Sequence, residues 1–317
     1  MKQSQTDPNI AKNDKKLVPK YLFTGSKRSV KQFDIETGQE VYHYKGIYEY
    51  VIYAITLTSD GKYFFTTGDY EGVKQFDIET HQEVSHYSKI NNDYISVIAL
   101  TSDCKYLFIG RNRSVKQFDI ETHQEVYHYN KIHEYWINAI ALTSDDKYLF
   151  TASQDNSVKQ FNLKTGQEVH QYQGIHEDWI NVIALTSDSK YLFTASQDNS
   201  VKQFDIETHQ EVYHYKEIHQ HWIDAIVLTS DGKYFFTASQ DNSVKQFNIH
   251  TRQEVHQYKE IRDDYIGVIA LTSDSKYLFT ASQDNGIKQF DIHTGKKVNQ
   301  YKRMHEDFIC AITLTPY

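Results

Sequence analysis

Histidine, serine and aspartate recur in this sequence at spacings that could serve hydrolytic chemistry. In three places a histidine is followed 20 residues later by a serine and 22 residues later by an aspartate. The three sets are His133, Ser153 and Asp155; His176, Ser196 and Asp198; and His219, Ser239 and Asp241. In a hydrolase, an aspartate orients a histidine that activates a serine nucleophile. One active site needs one such set, so three sets in register favour a structural role, and we predict no catalytic residue.

The same register runs through most of the chain. The motif VKQF or IKQF occurs seven times, at intervals of 42 or 43 residues. Its phenylalanines are Phe33, Phe76, Phe118, Phe161, Phe204, Phe247 and Phe290. A fixed period in this range is typical of repeat architectures. The sequence therefore predicts one repeat domain over residues 20–317, preceded by a flexible polar tail over residues 1–19.

Each repeat holds four short runs rich in aromatic and β-branched residues, which favour strands. In one repeat we predict them at residues 179–186, 191–196, 201–206 and 211–215, and we name them strands a, b, c and d. Four strands in a repeat of this length predict a propeller blade. The chain opens with b, c and d and ends with a lone strand a at 308–315. We therefore predict an all-β, seven-bladed propeller, closed by pairing the N-terminal strands with the C-terminal strand.

The turn between strands c and d requires a positive φ. Gly38, Gly166 and Gly295 follow a threonine at this turn. In the other four repeats the same position holds His81, His123, His209 or Arg252. Histidine adopts a positive φ more readily than most side chains, so the turn is predicted in all seven repeats.

These motifs resemble a known family. The Ser-Asp-Gly turn, the Ser-Gln-Asp ending strand b, the VKQFD of strand c and the Thr-Gly turn resemble the tryptophan-aspartate (WD) repeats of the G-protein β-subunit type, over residues 20–317. The resemblance implies a propeller with a central channel that acts as a protein-interaction platform without catalysis. It also implies that the three sets above form buried hydrogen-bond relays, and that Ser282 and Asp284 belong to a fourth.

The sequence departs from that family at two positions. Phenylalanine replaces the tryptophan of strand c in all seven repeats, and it cannot donate the last hydrogen bond of the relay. Lys27, Tyr70 and Asn112 stand where three repeats would have the aspartate. We expect those three blades to be less stable by about 1 kcal/mol for each lost hydrogen bond.

The resemblance further places a ring of residues on one face near the channel mouth, where such propellers bind partners. The predicted partner-binding residues are Trp136, Asn138, Gln154, Trp179, Asn181, Gln197, Trp222, Asp224, Gln240, Tyr265 and Phe308. The three tryptophans fall in the three repeats with complete His-Ser-Asp sets, which favours an interface hot spot. Tryptophans that only seal each blade against its neighbour are the alternative.

Charge and composition limit the class of partner. The net charge of -8 and the pI near 6.0 argue against a nucleic-acid surface. Acidic residues before strand a, such as Glu134, Glu177 and Asp178, predict a basic peptide or protein partner, with a merely solvated rim as the alternative. Cys104 and Cys310 have no spacing suited to a disulfide framework or a metal. The sequence has no membrane segment or signal peptide, so we predict a cytoplasmic protein.

Together these observations predict a protein-interaction scaffold or adaptor that is not an enzyme and needs no cofactor or metal. We expect a monomer or a subunit of a complex. One alternative is a structural subunit of a large ciliary or cytoskeletal assembly. The other is a propeller enzyme, which would need a unique polar cluster in the channel that breaks the repeat, and the sequence contains none.

Overall fold

The computed structural model describes residues 19–68, 71–87, 95–258, 266–282 and 285–316. These residues form 28 β-strands in seven four-stranded antiparallel sheets. The prediction of a seven-bladed all-β propeller is thus confirmed. The tail predicted for residues 1–19 lies almost entirely outside the described residues and stays a prediction.

We number the sheets as blades 1 to 7 in chain order. Blade 1 contains β1 (Tyr21–Ser26), β2 (Ser29–Asp34), β3 (Glu40–Lys45) and β28 (Ala311–Leu314). Blade 2 contains β4 (Ile52–Leu57), β5 (Tyr63–Gly68), β6 (Gly72–Asp77) and β7 (Glu83–Tyr87). Blade 3 contains β8 (Ile95–Leu100), β9 (Tyr106–Arg111), β10 (Ser114–Asp119) and β11 (Glu125–Tyr129). Blade 4 contains β12 (Ile137–Leu142), β13 (Tyr148–Ser153), β14 (Val158–Asn162) and β15 (Glu168–Tyr172). Blade 5 contains β16 (Ile180–Leu185), β17 (Tyr191–Ser196), β18 (Val201–Asp205) and β19 (Glu211–Tyr215). Blade 6 contains β20 (Ile223–Leu228), β21 (Tyr234–Ser239), β22 (Val244–Asn248) and β23 (Glu254–Tyr258). Blade 7 contains β24 (Ile266–Leu271), β25 (Tyr277–Ser282), β26 (Ile287–Asp291) and β27 (Lys297–Tyr301).

Burial decreases from strand b to strand d within a blade. In blade 5, β17 is buried at every residue but its first, since both faces of the strand pack against neighbouring blades. The outer strand β19 begins exposed and ends on buried Tyr215. The c to d turns adopt the predicted positive φ, at 70° for Gly38 and 60° for His81. The burial of the residues in a repeat therefore depends on how far each strand lies from the central channel.

The described residues form seven hydrophobic clusters, each lying between two consecutive blades. Between blades 4 and 5, Phe150 and Val158 pack with Ile183, Leu192 and Phe204. The cluster between blades 7 and 1 joins the two ends of the described chain in the same way. Blade-to-blade packing is therefore continuous around the ring.

The termini close the ring as predicted. β28 pairs antiparallel with β1, placing Leu22 opposite Leu314 and Gly25 opposite Ala311. Beyond the strand, the backbone N–H of Tyr21 donates to Thr315 Oγ1 at 3.0 Å. β28 is shorter than the predicted strand at 308–315, but it covers the inner edge of β1 that would otherwise be unpaired.

In four of the described blades, the glutamine before the strand c phenylalanine has a partner that sequence reasoning did not identify. A tyrosine 12 residues later, at the end of strand d, donates its hydroxyl to the glutamine Oε1 in four blades. The pairs are Tyr44 with Gln32 (3.4 Å), Tyr87 with Gln75 (3.2 Å), Tyr258 with Gln246 (2.8 Å) and Tyr301 with Gln289 (3.2 Å). Three of these tyrosines also stack edge to face on the phenylalanine of the next blade: Tyr44 on Phe76, Tyr87 on Phe118 and Tyr258 on Phe290. A Gln-Tyr-Phe contact therefore occupies the place where the WD family uses tryptophan.

Candidate functional site

One end of the propeller carries the d to a loops and the b to c turns, which together form the candidate binding face. In blade 5 this face is held by Asp198. Its Oδ2 lies 2.7 Å from His176 Nδ1 and accepts the Glu177 backbone N–H at 3.1 Å, while its Oδ1 accepts the Ser200 hydroxyl at 2.7 Å. His176 Nε2 lies 2.7 Å from Thr194 Oγ1 in β17. The carboxylate thus ties the loop before strand a to the turn after strand b.

Blades 4 and 6 repeat this arrangement. His133 Nδ1 lies 2.9 Å from Asp155 Oδ2, and its Nε2 lies 2.8 Å from Thr151 Oγ1. The same distances join His219 to Asp241 and to Thr237. Three consecutive blades therefore share one rigid support beneath the binding face.

The third member of each relay differs from the prediction. A threonine, and not Ser153, Ser196 or Ser239, contacts the imidazole. Threonine and serine lie two residues apart on the same face of strand b, so spacing alone does not tell them apart. Ser196 instead donates to the Asp178 carbonyl at 3.0 Å and accepts the Asp198 backbone N–H at 3.1 Å. The serine fixes the loop that leads into strand a.

The geometry of these sets is unsuited to hydrolysis. The side chains of His133, His176 and His219 are 0% exposed, so no substrate carbonyl can reach them. The hydroxyl beside each imidazole belongs to a buried threonine in the blade interior. Burial alone would raise the pKa of Asp198, but the hydrogen bond to His176 and the Ser200 hydroxyl hold the pKa of this carboxyl well below its usual range. The carboxylate acts as a fixed acceptor.

The remaining blades lack this relay or fall partly outside the described residues. Ser282 is buried at the end of β25, whereas Asp284 lies outside the described residues. In blade 2, buried Tyr48 replaces the histidine and donates to the Thr66 carbonyl. In blade 1, His305 contacts Thr24 Oγ1 at 2.7 Å, and Lys27 stands near the place of the aspartate.

The predicted aromatic ring is exposed on the binding face. Trp136, Trp179 and Trp222 are 49, 43 and 42% exposed, and Phe308 is 46% exposed. None of these four side chains belongs to the inter-blade clusters that the described residues form. Tyr265, the fifth predicted aromatic, lies outside the described residues.

The tryptophan backbone is fixed by the glutamines of the same ring. The backbone N–H groups of Gln154, Gln197 and Gln240 donate to the carbonyls of Trp136, Trp179 and Trp222 at 2.9 to 3.0 Å. A hydrogen-bonded backbone positions each indole without covering it. The sequence spacing identified these three glutamines. It did not indicate that the glutamine backbone, and not the side chain, holds the tryptophan backbone in place.

The amides of the ring connect neighbouring blades. Asn138 Nδ2 donates to the Ile180 carbonyl of blade 5 at 3.1 Å, and Gln154 Nε2 donates to Asn138 Oδ1 at 3.2 Å. In the next blade, Asn181 Nδ2 donates both to the Ile223 carbonyl and to Asp224 Oδ1 at 3.1 Å. These side chains form a hydrogen-bonded belt at the channel mouth, so the tryptophans are the part of the ring that protrudes.

Neither a metal-binding cluster nor a membrane-spanning helix occurs in the described residues. No group of three or more His, Cys, Asp or Glu side chains among them could hold a metal ion. The described part of the chain also contains no helix long and apolar enough to cross a membrane.

Comparison with known proteins gives the family. No curated protein matches the chain significantly. The model of the N-terminal domain of nucleolar protein 10-like proteins, a β-propeller, matches residues 9–311. The predicted cytoplasmic location is wrong on this finding, because the family is named for a nucleolar protein and points to the nucleolus or the nucleus. The match spans nearly the whole chain, which therefore belongs to the nucleolar protein 10-like N-terminal β-propeller family.

Proposed function

We propose that this propeller is a non-catalytic protein-interaction scaffold of the nucleolus, and that blades 4 to 6 present its partner-binding surface. The observation that carries the proposal is the row of Trp136, Trp179 and Trp222, each more than 40% exposed on a hydrogen-bonded support. Tryptophan is enriched in interface hot spots because one rigid side chain buries a large area at low entropic cost.

The rigidity of these three blades supports the choice of surface. The relays beneath the loops of Trp136, Trp179 and Trp222 are complete, so a partner would meet a preorganised surface. Preorganisation lowers the entropic cost of association. The exposed aromatic of blade 1, Phe308, stands on a loop without an aspartate relay and is a peripheral contact in this proposal.

The charge around the tryptophans favours a basic partner. Glu134 and Glu177 are exposed in the loops that precede Trp136 and Trp179. Carboxylates at the rim of an interface increase the association rate of a positively charged partner, and salt screens this effect. We therefore propose a basic peptide or a basic protein surface as the ligand.

The experiment is an affinity pull-down from nuclear extract with a triple variant, Trp136→Ala, Trp179→Ala and Trp222→Ala. The matched control replaces three exposed valines of the outer strands, Val126, Val169 and Val255, which are 46 to 52% exposed. Circular dichroism first establishes that both variants are folded. We expect discrete partners to be lost with the tryptophan variant and kept with the valine variant.

Two results would refute this surface. One is an unchanged set of partners with a folded tryptophan variant, and the other is equal loss with the valine control. The location is tested separately by imaging a fluorescent fusion of the chain beside a nucleolar marker. Exclusion of the fusion from the nucleus would contradict the nucleolar part of the proposal alone.

A further inference from the structure

A groove on the outer part of blade 1 differs in charge from the equivalent grooves of blades 5 and 6. We call it the blade 1 groove and define it by Lys27, Arg28, Lys31, Lys45 and His305, which line a cavity of about 540 Å³. Glu306 and Asp307 also line the cavity. Four cations therefore face two carboxylates in one compact space.

The repeat supplies the reference for this groove. The equivalent groove of blade 5 has a volume of about 420 Å³ and is lined by His176, Asp198, Lys202 and Lys216. Asp198 approaches the histidine there, and Glu177 and Glu217 add two more carboxylates. The groove of blade 5 thus carries more carboxylates than lysines, whereas the blade 1 groove carries twice as many cations as carboxylates.

The turn between strands b and c is shorter in blade 1 than in blade 5. Three residues, Gln197 to Asn199, connect Ser196 to Ser200 in blade 5, whereas Lys27 and Arg28 alone connect Ser26 to Ser29 in blade 1. Ser26 and Ser29 are directly paired, so the turn is a two-residue hairpin with Arg28 at a φ of 65°. The shortened turn has no position for the aspartate, and both of its residues are basic.

The cations of the groove are largely available to a ligand. Lys31 pairs with Glu40 at 2.8 Å, and Arg28 Nε donates to the Glu49 carbonyl at 2.7 Å. Lys27, Arg28 and Lys45 are exposed and form no ion pair with any described residue. Neighbouring unpaired cations repel each other, and an anion bound between them would relieve that repulsion.

His305 adds a neutral donor at the floor of the groove. Its side chain is buried, and Nε2 contacts Thr24 Oγ1 at 2.7 Å, as Nε2 of His176 contacts Thr194. Nδ1 is the nitrogen that faces the aspartate in blade 5. Burial, assisted by the charge of Lys31, lowers the pKa of His305 to about 4, so the ring is neutral at pH 7. A neutral ring bonded to Thr24 through Nε2 can donate from Nδ1 to an anionic oxygen.

We propose that the blade 1 groove binds the phosphomonoester of a phosphorylated side chain on a protein partner. Its oxygens take the place that the aspartate carboxylate has in blades 4 to 6, accepting from His305 and from Lys27, Arg28 and Lys45. A phosphomonoester carries nearly two charges and three acceptor oxygens, which suits a compact group of lysine and arginine donors. This site is separate from the tryptophan surface and extends the proposed scaffold function.

The distribution of charge favours a single phosphate over a nucleic-acid backbone. A phosphodiester chain is bound by cations that follow it as a stripe or patch. The two other grooves described on this face, in blades 5 and 6, each contain an aspartate, and the whole chain has a net charge of -8. The cations of the blade 1 groove are thus gathered in one compact site, which suits a single phosphate.

The test is a titration of the full chain with O-phosphoserine and then with a short phosphoserine peptide, followed by the NMR signals of the His305 ring. We expect these signals to shift with both probes and to stay unchanged with serine and the unphosphorylated peptide. Lys45→Gln is expected to weaken binding about tenfold, and Lys27→Gln with Arg28→Gln to weaken it further. The matched control is Lys216→Gln, the equivalent exposed lysine of blade 5, which should bind like the wild type.

Three results would overturn the proposal. The first is no response of His305 to either phosphorylated probe, and the second is equal weakening by Lys216→Gln. The third is a single-stranded RNA oligonucleotide that binds more tightly than the peptide and displaces it, since the ligand would then be a nucleic acid. The tryptophan triple variant is expected to keep phosphopeptide binding, so failure of the tryptophan surface and failure of this groove are distinguishable.

Discussion

Replacing Asp198 by asparagine tests the structural role of the relay most directly. The carboxylate accepts four hydrogen bonds, from His176, from the Glu177 backbone and from the backbone and hydroxyl of Ser200, at 2.7 to 3.1 Å. An asparagine amide has one acceptor oxygen, and its NH₂ group can only donate. With the NH₂ at the Oδ2 position it faces the donors of His176 and Glu177. With the NH₂ at the Oδ1 position it faces the Ser200 backbone N–H, and the Ser200 hydroxyl has to turn and accept. In either orientation two of the four hydrogen bonds that the carboxylate accepts are lost.

The magnitude follows from these two lost bonds. Hydrogen bonds to a charged group contribute about 1.5–3 kcal/mol each, so the loss of two in Asp198→Asn should lower the free energy of unfolding by about 3–6 kcal/mol. For a chain of this size we expect the Tm to fall by roughly 5–10 °C. Thermal unfolding followed by circular dichroism measures the change, and urea unfolding tests whether the free energy agrees.

The repeat provides a control for the loss of a carboxylate. Asp205, at the end of β18, is partly exposed and accepts the Thr208 backbone N–H at 2.8 Å. Asparagine already occupies this position in blade 4, where Asn162 accepts the Thr165 N–H at 3.0 Å. Asp205→Asn should therefore change the free energy of unfolding by less than about 0.5 kcal/mol. Equal effects of the two substitutions would refute the reasoning.

The pH dependence gives a second check on the same variant. The hydrogen bonds in the folded protein hold the pKa of Asp198 below its unfolded value of about 3.9. A carboxyl with a depressed folded pKa stabilises the protein fully above the unfolded pKa and loses that contribution as the pH falls further. The difference between wild type and Asp198→Asn should thus be constant near neutral pH and shrink below about pH 4. A difference that persists undiminished there would contradict this assignment.

Three further predictions concern the ring closure, the tyrosine contacts and the isolated histidine. A chain ending at Arg303 lacks β28 and should aggregate on size-exclusion chromatography; a soluble monomer of unchanged Tm would argue against closure by the termini. Tyr258→Phe should lower the free energy of unfolding, measured in urea, by about 1–2 kcal/mol, because buried Gln246 Oε1 loses the hydroxyl that donates to it at 2.8 Å. The hydroxyl of Tyr215 makes no such bond, so Tyr215→Phe should lower the free energy of unfolding by less. Burial lowers the folded pKa of His305 to about 4, so stability should fall as the pH drops from about 6.5 towards 4, and His305→Gln should remove that part of the slope.

The architecture could be predicted from sequence because the repeat fixes both the unit and its phase. Strand b at Tyr191–Ser196 and strand d at Glu211–Tyr215 have the predicted bounds. The lone final strand required closure with β1, and the pairing of β28 with β1 confirms it. Periodicity determines such features well because seven copies report the same local pattern.

Details that depend on depth within a blade were not predictable in this way. Spacing placed Thr194 and Ser196 on one face of β17 but could not say which hydroxyl reaches His176. A constant separation of 12 residues between glutamine and tyrosine, as in Gln246 and Tyr258, was present in the sequence and could have identified their contact. Side-chain reach, and not residue order, decides both.

The pairing of β1 with β28 has a consequence for how the chain is made. The Lys20 backbone N–H bonds to Thr315 Oγ1, 295 residues away, so the first blade to leave the ribosome is the last to be completed. At about 5–20 residues per second, β1 waits roughly 15–60 s for its partner strand. Throughout that time the inner edge of β1 is unpaired. The β28 strand of another chain being translated from the same mRNA can pair with this edge as well as the chain's own β28 can. Cover on this edge, or a low local concentration of chains, therefore favours closure of each chain on itself over exchange of strands between chains.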